Sequence, residues 1–123
     1  MKVLDPGHEY ELAILDDFEN DLAPQHLRFV KRFGPGYPGN VNSYAGTNLQ
    51  EVLRVLIDRV QYLEAQISDP SNGMVIKNLR ECILLLELRA ADRHGRVLPN
   101  TRLDIENEPV CKMCGHIACE QHR

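Results

Sequence analysis

The sequence has no long apolar run, and none of its hydrophobic stretches approaches the roughly 20 residues that a membrane-spanning helix needs. Residues 1–6 also lack the apolar segment of a secretion signal, because a lysine, an aspartate and a proline fall among them. We therefore expect a cytoplasmic protein with no membrane partner.

The chain also lacks an excess of positive charge. Its 14 lysines and arginines face 18 aspartates and glutamates, which gives a formal net charge of -4 over 123 residues. This balance argues against a protein that coats nucleic acid, and the length leaves room for one domain. Any site for an anion must therefore be local.

Familiar catalytic motifs are absent as well. The sequence contains no nucleophile elbow, no P-loop and no His-Glu-x-x-His zinc motif, and its acidic residues are scattered. We expect a binding protein and not an enzyme.

The first 46 residues predict a small antiparallel β-sheet followed by a loop. A Pro-Gly turn signal at residues 6 and 7 precedes two stretches with partial period-two alternation, residues 10–14 and 27–33. The second stretch places Arg28 on a mostly basic face, and a solvated sheet face is the alternative to a binding role. Residues 34–46 contain four glycines and two prolines, and their two tyrosines either supply a stacking surface or are incidental to the loop.

Residues 47–98 predict a long antiparallel helical hairpin in the same domain. A capping box of Thr47 and Gln50 opens an apolar repeat that predicts a first helix over residues 48–67. The Asp-Pro-Ser-Asn-Gly segment at 69–73 breaks the chain, and a second helix is predicted over 74–93. The predicted fold class is thus α+β.

The second helix is more apolar than one contact requires. One apolar stripe runs along it from Ile76 to Ala90, and Leu85 and Leu88 are among the residues that widen this stripe. Because so small a domain hides only part of its surface, the pattern predicts a homo-oligomer.

Residues 99–123 predict a short zinc-binding tail. Cys111 and Cys114 form a Cys-x2-Cys pair, and Cys119 and His122 form a Cys-x2-His pair after it. Two short-spaced pairs suit tetrahedral zinc, and four protein ligands would make the site structural. His116 is an alternative fourth ligand, and a disordered tail with chance cysteines is the alternative to a metal site. If the tail is only a brace, truncation after residue 99 would spare ligand binding.

The hairpin also carries residues that suit a nucleotide. Arg59 and Tyr62 are three residues apart on the first helix, so their side chains are neighbours. Asn72 follows in the predicted turn, and Arg89 lies on the second helix. A ring, guanidinium groups and an amide can stack on a base, bind phosphate and pair with a base edge. Packing and solvation are the alternative roles.

Four segments carry a resemblance to a known family: residues 6–12, 27–32, 46–63 and 86–93. They resemble the phage anti-Thoeris sponge family, relatives of the anti-CBASS hairpin sponges, over roughly residues 3 to 98. The most specific part is Gly-Thr-x-x-x-Glu-Val-Leu-x-x-Leu-Ile-x-Arg-x-x-Tyr-Leu from Gly46 to Leu63. The cysteine-rich tail departs from the family pattern.

The resemblance implies an N-terminal sheet with a C-terminal hairpin, assembled as dimers and in some cases hexamers. It implies a protein in the infected bacterial host that binds cyclised ADP-ribose messengers of TIR-domain enzymes without cleaving them. Some members also bind cyclic oligonucleotides. By resemblance, Tyr62 stacks on the ligand, Asn72 and Arg89 contact it, and Arg59 and Arg28 are further candidates.

Two other functions fit the same sequence. One is a zinc-containing phage structural or nucleic-acid-binding regulatory protein that uses its tail. The other is a small hydrolase of cyclic messengers, which would release cleaved products where a sponge releases intact ligand.

Overall fold

The structure, a computed structural model, describes residues 1–119 and divides the chain into two compact units, Met1–Asn48 and Leu49–Arg123. The fold class is α+β, as predicted, with a small antiparallel sheet, two long helices in a hairpin and a C-terminal cysteine cluster. Within residues 1–119, no helix combines the length and the apolar composition needed to cross a bilayer.

The first unit is built on strands β1 (Lys2–Asp5), β2 (Glu9–Leu12) and β3 (Gln25–Arg28), paired antiparallel in the order β1-β2-β3. Gly7, with a φ of 77°, makes the tight turn between the first two strands, where a left-handed backbone favours glycine. The predicted sheet is confirmed, and it contains one strand, β1, that the pattern did not identify.

The last strand is shorter than its sequence pattern. Alternation continues to residue 33, but β3 ends at Arg28, and beyond it Lys31 pairs with Tyr44 only through an isolated bridge. The following loop approaches closely here, because a Cβ atom on Gly46 would lie 2.5 Å from the backbone carbon of Phe29. Only glycine fits at this position. Residues 29–31 therefore lie beside this loop and not beside a regular strand.

The second unit contains helices α1 (Leu49–Gln66), α2 (Pro70–His94) and α3 (Arg102–Asn107). The first two form the predicted antiparallel hairpin, since Arg54 near the start of α1 lies 3.7 Å from Glu87 near the end of α2. The short helix α3 was not predicted from the sequence.

Helix α2 begins one turn earlier than residue 74, the start that the sequence predicts. The Asp69 carboxylate caps it by accepting a hydrogen bond of 2.8 Å from the amide of Ser71. Pro70 occupies the first helical position, where its missing N–H costs nothing and its fixed φ suits the helix. The connection is therefore short, and Asn72 lies in the first turn of α2 and not in the turn between helices.

The core of the second unit contains four buried isoleucines, one from each successive part of the chain. Ile57 of α1, Ile83 of α2, Ile105 of α3 and Ile117 of the tail are each at most 3% exposed and pack together. Two of the four follow residue 99, so the tail is part of this core and not a separable brace. Gln50, which the sequence assigns to a capping box, is also buried, with its amide nitrogen 3.1 Å from Nδ1 of His116.

Much of the apolar surface of the two long helices remains uncovered. We call this surface the exposed helical face. It consists of eight aliphatic side chains that are 38–80% exposed: Leu49, Val55, Leu56, Leu63, Ile67, Val75, Leu85 and Leu88. Uncovered apolar surface of this extent is typical of an interaction site. Homo-oligomer formation stays a prediction, and this face is the surface on which it rests.

Candidate functional site

Three cysteines converge in the loop that follows α3. Val110 and Ile117 pair in an antiparallel bridge, which folds the intervening chain into a tight hairpin. Gly115, at a φ of 77°, donates its amide hydrogen to the carbonyl oxygen of Cys111 at 2.7 Å. As a result, the sulfur atoms of Cys111, Cys114 and Cys119 all lie within 4.8 Å of one another. We call residues 110–119 the metal loop.

The loop treats its thiols unequally. Hydrogen bonds from the backbone amides of Cys114 and Met113 lower the pKa of Cys111 to about 6, which favours the thiolate form that binds metals. Burial, followed by the neighbouring thiols, raises the pKa of Cys114 to about 11. Crowded sulfurs of this kind favour a divalent metal, which compensates the negative charge that neighbouring thiolates would otherwise concentrate.

Two histidines were predicted as the fourth ligand. His122, the predicted ligand, lies outside them. His116, the alternative, is not a member of the three-sulfur group among residues 1–119. Its Nδ1 faces the side-chain amide nitrogen of Gln50, which can only donate, so this ring nitrogen acts as an acceptor there. His116 is therefore a residue of the metal loop whose ring contacts Gln50 of α1.

Two of the predicted ligand-binding residues lie together on α1. The Arg59 guanidinium carbon is 5.8 Å from the ring centroid of Tyr62, and both side chains are exposed. The Tyr62 hydroxyl also accepts a hydrogen bond of 3.3 Å from Gln66, one turn further on. The i, i+3 spacing predicted this pair correctly.

Asn72 is already engaged within the hairpin. Its side-chain amide donates a hydrogen bond of 2.6 Å to Glu64, and the same carboxylate accepts from the Ser68 hydroxyl at 2.6 Å and from the amide of Asp69 at 3.0 Å. These bonds, that from Ser68 foremost, hold the pKa of Glu64 below its ordinary value. Asn72 therefore joins the first turn of α2 to Glu64 near the end of α1.

Arg89 does not join Tyr62 within one chain. It is 17 residues beyond Asn72 on the same helix, which places the two about 25 Å apart along the helix axis. Arg59 and Tyr62 lie at the Asn72 end, because Glu64, two residues after Tyr62, contacts Asn72. The separation exceeds the size of a single cyclised nucleotide, so one chain does not assemble these predicted residues around one ligand.

Arg28 lies in the first unit and has partners there. Its guanidinium carbon is 4.6 Å from the ring centroid of Tyr44, and Nη2 lies 3.4 Å from a Glu9 carboxylate oxygen. Tyr44 in turn donates a hydrogen bond of 2.5 Å to Asp5, which also accepts one of 2.9 Å from Lys31. Tyr44 is thus committed to the fold of this unit, whereas Tyr37 of the same loop is 42% exposed.

This cluster predicts an unusual tyrosine titration. Burial and the hydrogen bond to Asp5 raise the pKa of Tyr44 to about 12, so the phenol stabilises the fold below its ordinary value near 10 and ceases to do so as pH rises through about 12. In an alkaline titration followed by phenolate absorbance, one of the four tyrosines should ionise last, near pH 12. Tyr44→Phe should abolish this late phase and Tyr37→Phe should retain it. A late phase in Tyr44→Phe protein would contradict the assignment.

Sequence reasoning missed a buried charge cluster beside the metal loop. Glu87 is wholly buried, and its carboxylate lies 3.3 Å from Arg96 and 3.7 Å from Arg54. A signal was available: Glu87 follows Ile83 by four residues and precedes Ala90 by three, so it interrupts the apolar stripe of α2. A charge in such a position predicts a buried ionic partner.

Comparison with known proteins adds no relative. No protein-family model matches the chain, and neither a curated protein nor a solved structure matches it.

Proposed function

We propose that this protein binds and sequesters cyclic nucleotide messengers, with cyclised ADP-ribose isomers as the main ligands and cyclic oligonucleotides as further ones. In this role it is a phage immune-evasion protein that acts in the cytoplasm of the infected bacterial host. The observation that carries the proposal is the exposed pair of Arg59 and Tyr62 on an uncovered apolar helix surface. The resemblance of residues 46–63 to the anti-Thoeris sponges supports the same ligand class.

The Arg59–Tyr62 pair offers the two interactions that a nucleotide needs most. An exposed tyrosine ring stacks on a base or on another ring face, and a guanidinium group binds phosphate through parallel hydrogen bonds. Both groups have room for a ligand, since Tyr62 is 56% exposed and Arg59 is also exposed. The neighbouring apolar residues Leu56 and Leu63 would exclude water from the contact.

Oligomer formation would complete the site. Arg89 is exposed and follows Leu85 by one helical turn, so it belongs to the surface that a second copy would cover. Because Arg89 and Tyr62 of one chain are too far apart, an arginine near the stacked ligand would come from the partner copy. A two-fold pairing would create two such sites, since the same surface is used on both copies.

Zinc is the metal that we propose for the metal loop. Three cysteine sulfurs within 4.8 Å of one another suit its preference for thiolate ligands, and His122 would supply the fourth ligand. Four protein ligands leave no position for an activated water molecule. The zinc would therefore stabilise the fold, and the messenger would be held and not cleaved.

Release of bound ligand by heat tests this function. Purified protein is incubated with a cyclised ADP-ribose, separated from free ligand and heated to denature it, and the supernatant is analysed by chromatography and mass spectrometry. We expect the intact messenger in amounts close to one per site. Linear ADP-ribose, heavier than the messenger by one water, or smaller nucleotide fragments would identify a hydrolase, and an empty supernatant would exclude both functions for this ligand.

Removing the ring of Tyr62 should weaken binding without unfolding the chain. Loss of one base–aromatic stack typically costs about 1–3 kcal/mol, and an exposed side chain contributes little to folding. Isothermal titration calorimetry of Tyr62→Ala against wild type measures the change. Tyr37→Ala removes an exposed ring from the first unit and serves as the control, with affinity equal to wild type. Equal affinities for all three proteins would remove Tyr62 from the site.

A further inference from the structure

The buried carboxylate of Glu87 in α2 lies close to two arginines, Arg54 and Arg96. Glu87 of α2 is 0% exposed, and its Oε2 lies 3.3 Å from both terminal nitrogens of Arg96. Its other oxygen lies 3.7 Å from Nη2 of Arg54. A carboxylate without solvent is costly unless cations compensate it, so Glu87 requires these arginines.

The arginines also bind the backbone of the segment that follows the hairpin. Arg96, whose side chain is 3% exposed, donates through Nη1 to the carbonyl oxygen of Ile117 in the metal loop. Arg54 donates to the carbonyl oxygen of Ile105 at 3.3 Å. The pairing of Glu87 with Arg96 therefore places the guanidinium group that holds the metal loop.

The position of Ile117 decides where the third sulfur lies. Ile117 pairs with Val110 on one side of the loop, next to Cys111, and precedes Cys119 by two residues. A shift of its carbonyl oxygen would move Cys119 relative to the Cys111–Cys114 turn. Tetrahedral metal sites tolerate such movement poorly, and residues that orient the ligands contribute strongly to affinity.

We propose that Glu87 and Arg96 are positioning residues of the metal loop. Glu87 holds the Arg96 guanidinium in place, and Arg96 fixes the Ile117 carbonyl so that Cys119 meets Cys111 and Cys114 at metal-binding distance. Neither residue is a ligand. This inference rests on the metal centre of the proposed function. It adds that Glu87 of α2 and Arg96, which follows α2, set the metal affinity of that centre.

Metal affinity of full-length variants tests the inference. Zinc is titrated in competition with a chromophoric chelator, and cobalt is used in parallel because its absorbance reports tetrahedral thiolate coordination. Arg96→Lys keeps the charge but loses the fork that bridges Glu87 and Ile117. Glu87→Gln keeps the shape and loses the charge. Arg80→Lys is the matched control, since Arg80 pairs with Glu106 of α3 and has no such contact with the metal loop.

We expect Arg96→Lys and Glu87→Gln to bind zinc about 10- to 100-fold more weakly than wild type, with altered cobalt absorbance, and Arg80→Lys to match wild type. Variants that fold poorly are refolded with excess zinc, and the chelator concentration that strips the metal gives the same comparison. Wild-type affinity in both variants would overturn the positioning role while leaving the metal centre intact. A wild-type protein that takes up no zinc would overturn the metal centre itself.

Discussion

A chain truncated after Pro99 should lose the fold of its second unit. The truncation removes Ile105 and Ile117, two of the four isoleucines that form the core around Ile57 and Ile83. Fully burying one such side chain contributes about 1.5–3 kcal/mol, so the loss is about 3–6 kcal/mol, comparable with the whole stability of a domain at about 5–15 kcal/mol. Circular dichroism and limited proteolysis of residues 1–99 against full-length protein measure the effect.

Two point variants separate loss of core from loss of chain length. Ile105→Ala should cost about 2–5 kcal/mol because the side chain is 2% exposed. Leu103→Ala, on the same short helix but 52% exposed, should cost far less. If residues 1–99 kept full helical content and a cooperative thermal transition, the tail would be a separable brace after all.

An aspartate in place of Leu85 should dissociate the oligomer and leave each chain folded. Leu85 is 64% exposed in the single chain, so a charge there costs the monomer little. In an interface the same charge would be buried without a partner, at a cost of several kcal/mol. Light scattering after size-exclusion chromatography at micromolar concentration should show an oligomer for wild type and a monomer for Leu85→Asp.

The control for this experiment places the same charge elsewhere on the hairpin. Ala65 is exposed on α1 but is not part of the exposed helical face, so Ala65→Asp should assemble as wild type does. A wild-type monomer, or a Leu85→Asp oligomer equal to wild type, would contradict self-association through this face.

Local patterns predicted much of the fold. Period-two alternation identified β2 and β3, and the apolar repeats on either side of the Asp-Pro-Ser-Asn-Gly segment identified both long helices. One miss has a tertiary cause and the other a local one. Residues 29–33 alternate like a strand, but the loop around Gly46 lies against the start of this segment. Helix α2 begins at Pro70 because Asp69 caps it four residues before the predicted start at residue 74.

The candidate site shows the same division. The cysteine spacing and the Arg59–Tyr62 spacing are local patterns. In the structure the three cysteines lie close to one another, and separately Arg59 lies beside Tyr62. The proposed convergence of Arg89 with Tyr62 would depend on a second chain, which one sequence does not position. The role of Glu87 depends on residues 54 and 96, which lie on other segments, so spacing alone could flag the charge but not its partners.

Native mass spectrometry, with and without a cyclised ADP-ribose, measures messenger binding, assembly and metal content together. We expect an oligomer that carries one zinc per chain and gains the mass of whole, uncleaved messenger molecules, with Leu85→Asp giving monomers that gain none. A wild-type spectrum with no added messenger mass at saturating ligand, or with the mass of a hydrolysed product, would contradict this expectation.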